Sequence, residues 1–158
     1  MWKNLKAYIV SVFIALGVGF LSSSLSGDFV TLYSNLNLPA LALPSSAFPI
    51  VWTVLYVLMG ISAATIYLQR SRDAFAVDNA LTLYGGNLIF NFMWSIIFFG
   101  FEAFLFAFVW LVFLLITVIS MVFSFRKIKP VSGYLQIPYA TFLIYAGYLN
   151  LSIYLLNR

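Results

Sequence analysis

The charged residues of this chain fall only between its apolar runs. There are 8 Lys and Arg and 4 Asp and Glu in 158 residues, and none interrupts 7–27, 29–69, 79–101, 103–125 or 130–157. A helix that crosses a bilayer needs roughly 20 predominantly apolar residues. In hydrocarbon it must also satisfy its backbone from within. The pattern predicts transmembrane helices over 7–25, 48–68, 80–99, 103–125 and 131–156, with a long loop over 26–47. With 64% hydrophobic and 8% charged residues, against about 25% charged in soluble domains, the chain has too little polar surface to face water. The expected fold is an all-α, multi-pass integral membrane protein: a five-transmembrane-helix bundle forming one domain over 1–158, in contact with the lipid bilayer. Lys3 and Lys6 ahead of 7–25 also fit a cleaved leader, but that apolar run is long for one, so it is read as a span.

Orientation follows from the same charges. Five crossings put Lys3, Lys6, Arg70, Arg72, Arg126, Lys127 and Lys129 on one side, and Asp28, Glu102 and Arg158 on the other. The positive-inside rule assigns the first side, with the N-terminus, to the cytoplasm. This bias suits a bacterial cytoplasmic membrane. The net charge of +4 lies at span ends, and no nucleic-acid partner is expected.

Cys and His are absent, and no carboxylate falls within a predicted span. No metal site, cofactor or catalytic residue is expected. What remains is flat rings and carboxamides. Trp52 and Tyr56, one turn apart, share a helix face behind the proline-stiffened Pro44-Ser-Ser-Ala-Phe-Pro49; they read either as a pocket lip or as an interfacial anchor. Asn87, Asn91, Trp94 and Ser95 form one stripe that should face the bundle interior, because unpaired amides in hydrocarbon cost several kcal/mol. Asn87 reads as interhelical glue, and Asn91 as glue or ligand contact. Ala15, Gly19 and Ser23, and separately Gly85-Gly86, would let another helix come close. The span 103–125, apolar apart from Thr117 and Ser120, is expected to face lipid. Phe142, Tyr145, Ala146, Leu149 and Asn150 share one broad face of the last span. The leucine-rich loop reads as a lid over the bundle mouth.

Three stretches carry a resemblance: Phe48-Pro-Ile-Val-Trp-Thr-Val-Leu-Tyr-Val-Leu-Met-Gly-Ile-Ser-Ala63, Asn91-Phe-Met-Trp-Ser-Ile-Ile-Phe-Phe-Gly100 and Pro138-Tyr-Ala-Thr-Phe-Leu-Ile-Tyr-Ala-Gly-Tyr-Leu-Asn150. With Tyr33, Leu36 and Pro39 in the loop, they resemble the TspO/MBR family of tryptophan-rich sensory proteins and translocator proteins. The resemblance implies a five-helix bundle, often a homodimer, with a pocket beneath the first loop for porphyrins, sterols or benzodiazepine-type ligands. Matched residue by residue, it implies ligand contacts at Tyr33, Trp52, Tyr56, Asn91, Trp94, Phe142 and Ala146, beside the stripe residue Ser95. Leu149, Tyr154 and Arg158 satisfy a proposed sterol-contact pattern. The chain departs from the family at Leu32, Ser46 and Phe142, where tryptophan is usual, at Leu38 in place of a base, and at Leu43 in place of a proline.

The expected function is a membrane receptor or carrier for a planar hydrophobic ligand, a tetrapyrrole such as porphyrin or haem, or a sterol, in a transport or sensory-regulatory role. A porphyrin-degrading enzyme and a membrane scaffold without a small-molecule ligand are the alternatives. The family also occupies mitochondrial outer membranes, the alternative location.

Overall fold

The protein is described here from a computed structural model, which covers residues 2–158 apart from the side chain of Lys3. Its helices are α1 (Trp2–Leu25), α2 (Phe29–Asn35), α3 (Ala47–Tyr67), α4 (Ala74–Ser95), α5 (Phe104–Ile128), α6 (Pro130–Tyr134) and α7 (Ile137–Leu156), and a π-helical turn, Ile96–Gly100, continues α4. Among the described residues, five helical segments are long and apolar enough to cross a membrane. The first lies in α1 and the second in α3. The third is α4 with its π turn, the fourth α5, and the fifth α6 with α7. The chain is therefore a multi-pass integral membrane protein. Helix α1 packs on α3, α5 packs on α7, and α4 bridges the two pairs.

Small residues set the closest approaches. Between apolar helices in lipid no hydrophobic drive remains, so contact relies on close packing and hydrogen bonds. A Cβ on Gly60 would stand 2.6 Å from the Val12 Cα, so α1 and α3 touch backbone to backbone there. A Cβ on Gly133 would meet the Val122 carbonyl of α5 at 2.7 Å. Ala15 is fully buried, and Gly19 lies against the Tyr56 ring. The expectation for Gly85-Gly86 is corrected: nothing lies within 4 Å of a Cβ at either position. Those glycines sit on a part of α4 that no backbone approaches.

Helix α5 corrects a second expectation. Ala107, Leu111, Leu114, Val118, Met121 and Phe125 are buried, at alternating steps of four and three, the spacing of a coiled-coil seam. The least buried of the crossing helices is α1. A helix apolar all round hides its buried stripe from a sequence reading, because lipid-facing and core-facing positions use the same residues.

Boundaries also shift. Helix α4 starts ahead of the expected 80, because the Asp73 carboxylate caps it by accepting from the Ala76 amide at 2.9 Å. The long loop contains α2, capped by Asp28, which accepts from the Val30 and Thr31 amides. The last span is two helices, with Pro130 in the first turn of α6 and Pro138 in that of α7. Proline suits a first turn and not an interior.

The loop lies across one end of the bundle. Tyr145 of α7 donates to the Leu41 carbonyl at 2.7 Å. The Asn37 amide donates to Asn157 Oδ1 at 2.9 Å, and Asn157 Nδ2 returns a bond to the Asn37 carbonyl.

Gly60→Val should force α1 from α3, costing about 1–3 kcal/mol as an overpacked contact does and lowering the melting temperature in detergent. Gly85→Ala has room for its methyl group, and should raise stability by up to about 1 kcal/mol through helix propensity. Thermal unfolding of the two variants side by side checks both.

Candidate functional site

A cavity of about 410 Å³ opens between α1, α3 and α4, near the loop-bearing end. One wall is aromatic. Trp52 and Tyr56 of α3 lie 5.7 Å apart, and Trp52 stands 6.2 Å from Trp94 of α4. Phe29 of α2, Phe48 and Phe99 close the loop end, with Phe29 edge-on to both other rings. The opposite wall carries Ser22, Ser23 and Ser26 of α1 and its end, facing Ser95. Phe20, Ser23, Pro49 and Thr53 are exposed lining residues, so the mouth faces sideways between α1 and α3.

The π turn shapes this end. Its wider hydrogen bonding, Phe101 amide to Ile96 carbonyl at 3.0 Å, follows directly on Trp94 and Ser95. Phe98 packs back on Trp94, and Phe99 is sent into the cavity. Such π turns recur at functional sites.

A buried hydrogen-bond cluster supports the aromatic wall. Tyr56 donates to Asn91 Oδ1 at 3.1 Å, and Asn91 Nδ2 donates to the Tyr139 hydroxyl at 2.6 Å. One amide thus ties α3, α4 and α7. Trp94 donates from Nε1 to Asn150 Oδ1 at 3.3 Å, and Asn150 donates to the Phe104 carbonyl at 2.7 Å. On α1, Ser22 donates to the Phe92 carbonyl at 2.9 Å, and Ser26 to the Ser22 carbonyl at 2.6 Å. Asn87 donates to Thr117 of α5 at 2.8 Å, away from the cavity.

Of the residues singled out from sequence, Trp52, Tyr56, Asn91, Trp94 and Ser95 come together on this cavity. Phe142, Ala146 and Tyr33 do not line it. Phe142 lies behind Trp52, edge-on at 5.4 Å, and Ala146 is buried in the core. Tyr33 packs on Phe29 and Phe48 and donates to the Leu43 carbonyl at 2.8 Å. Its burial pushes the hydroxyl pKa up, and its bond to Leu43 ties α2 to the end of the loop ahead of α3. Leu149 is buried, Tyr154 half-buried and Arg158 beyond the helix end. Positions five apart, such as 149 and 154, point about 140° apart on a helix. The serines of α1 and the phenylalanines of the loop end were missed. Gly19 and Ser23 already marked that face of α1 as small, which was the available signal.

A second hollow of about 440 Å³ lies toward the basic end, lined by residues such as Lys6, Ser11, Tyr67 and Tyr84. Convergent polar groups against an aromatic wall are the mark of a ligand site, and they favour the first cavity.

The family model for the TspO/MBR family matches residues 10–156. This chain belongs to the TspO/MBR family. It is 29% identical to the tryptophan-rich protein TspO of Chlorobaculum tepidum, over 99% of both chains. It is 31% identical to the protein of the same name from Archaeoglobus fulgidus, over 98% of this chain and 99% of that one. The translocator protein of Sus scrofa is 28% identical over 89% of this chain and 83% of its own length. In this TspO/MBR chain the five assembled site residues come from the two resembling stretches on α3 and α4, while from the third Phe142 packs edge-on against Trp52 and Ala146 is buried in the core.

Asn91→Leu should leave the Tyr56 and Tyr139 hydroxyls short of their shared partner. The cost is about 1–3 kcal/mol for each buried group left unpaired, so a lower melting temperature is expected even without ligand. Asn91→Gln, which keeps the amide, should lose less.

Proposed function

We propose that this TspO/MBR protein is a membrane-embedded receptor or carrier that binds a planar hydrophobic ligand of tetrapyrrole or sterol type in the α1–α3–α4 cavity, in a transport or sensory-regulatory role. The observation that carries the reading is the cavity itself. Its 410 Å³ falls in the range of about 300–1,000 Å³ typical of small-molecule sites. Trp52, Tyr56 and Trp94 offer ring faces on which a flat molecule stacks, and hydroxyls opposite fix its orientation. A mouth between two helices would admit a ligand already dissolved in the bilayer. Homodimerisation and the membrane occupied belong to the same reading through the family resemblance.

Titrating the detergent-solubilised protein with a porphyrin supplied as its neutral ester, and separately with a sterol, tests the reading. At least one should quench tryptophan fluorescence saturably. Trp52→Ala should then weaken binding about twofold to tenfold, the effect of roughly 0.5–1.5 kcal/mol from one aromatic pair. Quenching that rises linearly with every probe would leave the rings as packing alone, the scaffold reading.

The topology proposed with it places the loop end outside the cytoplasm and the end bearing Lys6, Arg70, Arg72, Arg126, Lys127 and Lys129 inside, by the positive-inside rule. In a bacterial host, alkaline phosphatase fused after Arg158 should be active, and a fusion in the turn near Arg72 inactive. The reverse pattern would invert the topology.

A further inference from the structure

Five of the six side-chain hydroxyls lining the cavity have already committed their protons. Ser22 donates to the Phe92 carbonyl and Ser26 to the Ser22 carbonyl. The Ser26–Ser95 contact of 2.8 Å is therefore donated by Ser95, because Ser26 has no second proton. Thr53 donates to the Pro49 carbonyl at 2.7 Å, and Tyr56 to Asn91. What these five oxygens have left to offer a ligand is lone pairs. The donors that remain, the Ser23 hydroxyl, the second Asn91 amide hydrogen and the Trp52 indole N–H, are neutral and stand on three different helices.

Two acidic residues, Asp28 and Glu102, neighbour the loop end of the cavity in sequence. Among the described residues lining the cavity, none carries a formal charge. Asp28 lies between the lining residues Ser26 and Phe29 in sequence. The Thr31 hydroxyl and amide, with the Val30 amide, hold its carboxyl below the usual range, so it stays ionised at neutral pH. Glu102 follows Gly100, whose Cβ position is 3.8 Å from the Ser26 carbonyl oxygen. Adjacent Cα atoms are about 3.8 Å apart, which keeps Asp28 within about a Debye length, ~10 Å, of the lining residues.

We infer that this cavity selects flat ligands that carry no negative charge, and rejects carboxylates. The inference rests on the flat-ligand reading above. A carboxylate is acceptor-only. It would meet mostly lone pairs in the cavity and acidic residues near its loop end, and would leave water without a cation to replace it. A sterol hydroxyl or a protonated amine would meet the acceptors it needs, and a neutral ester leaves water at far less cost than a carboxylate.

Protoporphyrin IX and its dimethyl ester share one macrocycle and differ in two carboxylates, so the pair isolates the charge. In a nonionic detergent at neutral pH, with detergent-only titrations subtracted, the ester should bind at least tenfold tighter than the diacid. Asp28→Asn keeps a good helix cap and should narrow the gap. Ser23→Arg, which puts a cation at the exposed mouth, should close it; thermal melts confirm that each variant folds. A diacid bound as tightly as the ester by the unaltered protein would overturn the selectivity and leave the flat-ligand reading standing. No saturable quenching by either would overturn both.

Discussion

One carboxamide in hydrocarbon organises the centre of this protein. Asn91 accepts from Tyr56 and donates to Tyr139, so three of the crossing helices share a single buried side chain. With no water available, each of these polar groups must find a protein partner or cost several kcal/mol. The register of α3 against α4 and α7 is fixed by that requirement, because a one-residue slide would turn the amide toward lipid. Asn87 with Thr117, and Trp94 with Asn150, repeat the device at other levels of the bundle.

The cavity follows from how this cluster is placed. Tyr56 is held by its hydroxyl to Asn91 while its ring lies against Gly19, so α1 comes close without filling the space beside Trp52. Above that contact α1 offers serines in place of large side chains, and the π turn after α4 swings Phe99 across to the loop. Small residues on one helix, rings on the next and a locally widened helix end together leave a hollow. Ser22 and Ser26 turn their protons to backbone carbonyls, one across to α4 and one back along its own segment, and that gives the hollow its acceptor character.

The spans, their number and the inward stripe on α4 were legible because hydrocarbon imposes simple rules: twenty apolar residues, charges outside, amides inside. Trp52, Tyr56, Asn91, Trp94 and Ser95 were legible as candidates for the same reason, since rings and amides on one face of an apolar helix need a destination. Phe142 and Ala146 entered as ligand contacts through resemblance; Phe142 packs edge-on against Trp52, and Ala146 is buried in the core. The lipid-facing surface of α5 was misread because no polar residue marks its buried seam. Gly85-Gly86 was misread because a glycine pair records permission for close approach, and the neighbouring helix takes that permission at Gly60 instead.

Composition and charge spacing by themselves determined a membrane protein of five crossings, because the bilayer is a solvent that reads only length, polarity and charge. The helix starts at Asp28 and Asp73 went unread, although a capping carboxylate acts through its own neighbours in sequence. Which faces meet was decided only in three dimensions. The choice of Ser22, Ser26 and Phe99 as walls, and of Phe142 as backing, depends on helix rotation and on a π turn that shifts phase by a fraction of a turn. Those are set by packing between segments distant in sequence, where apolar residues look alike until their neighbours are known.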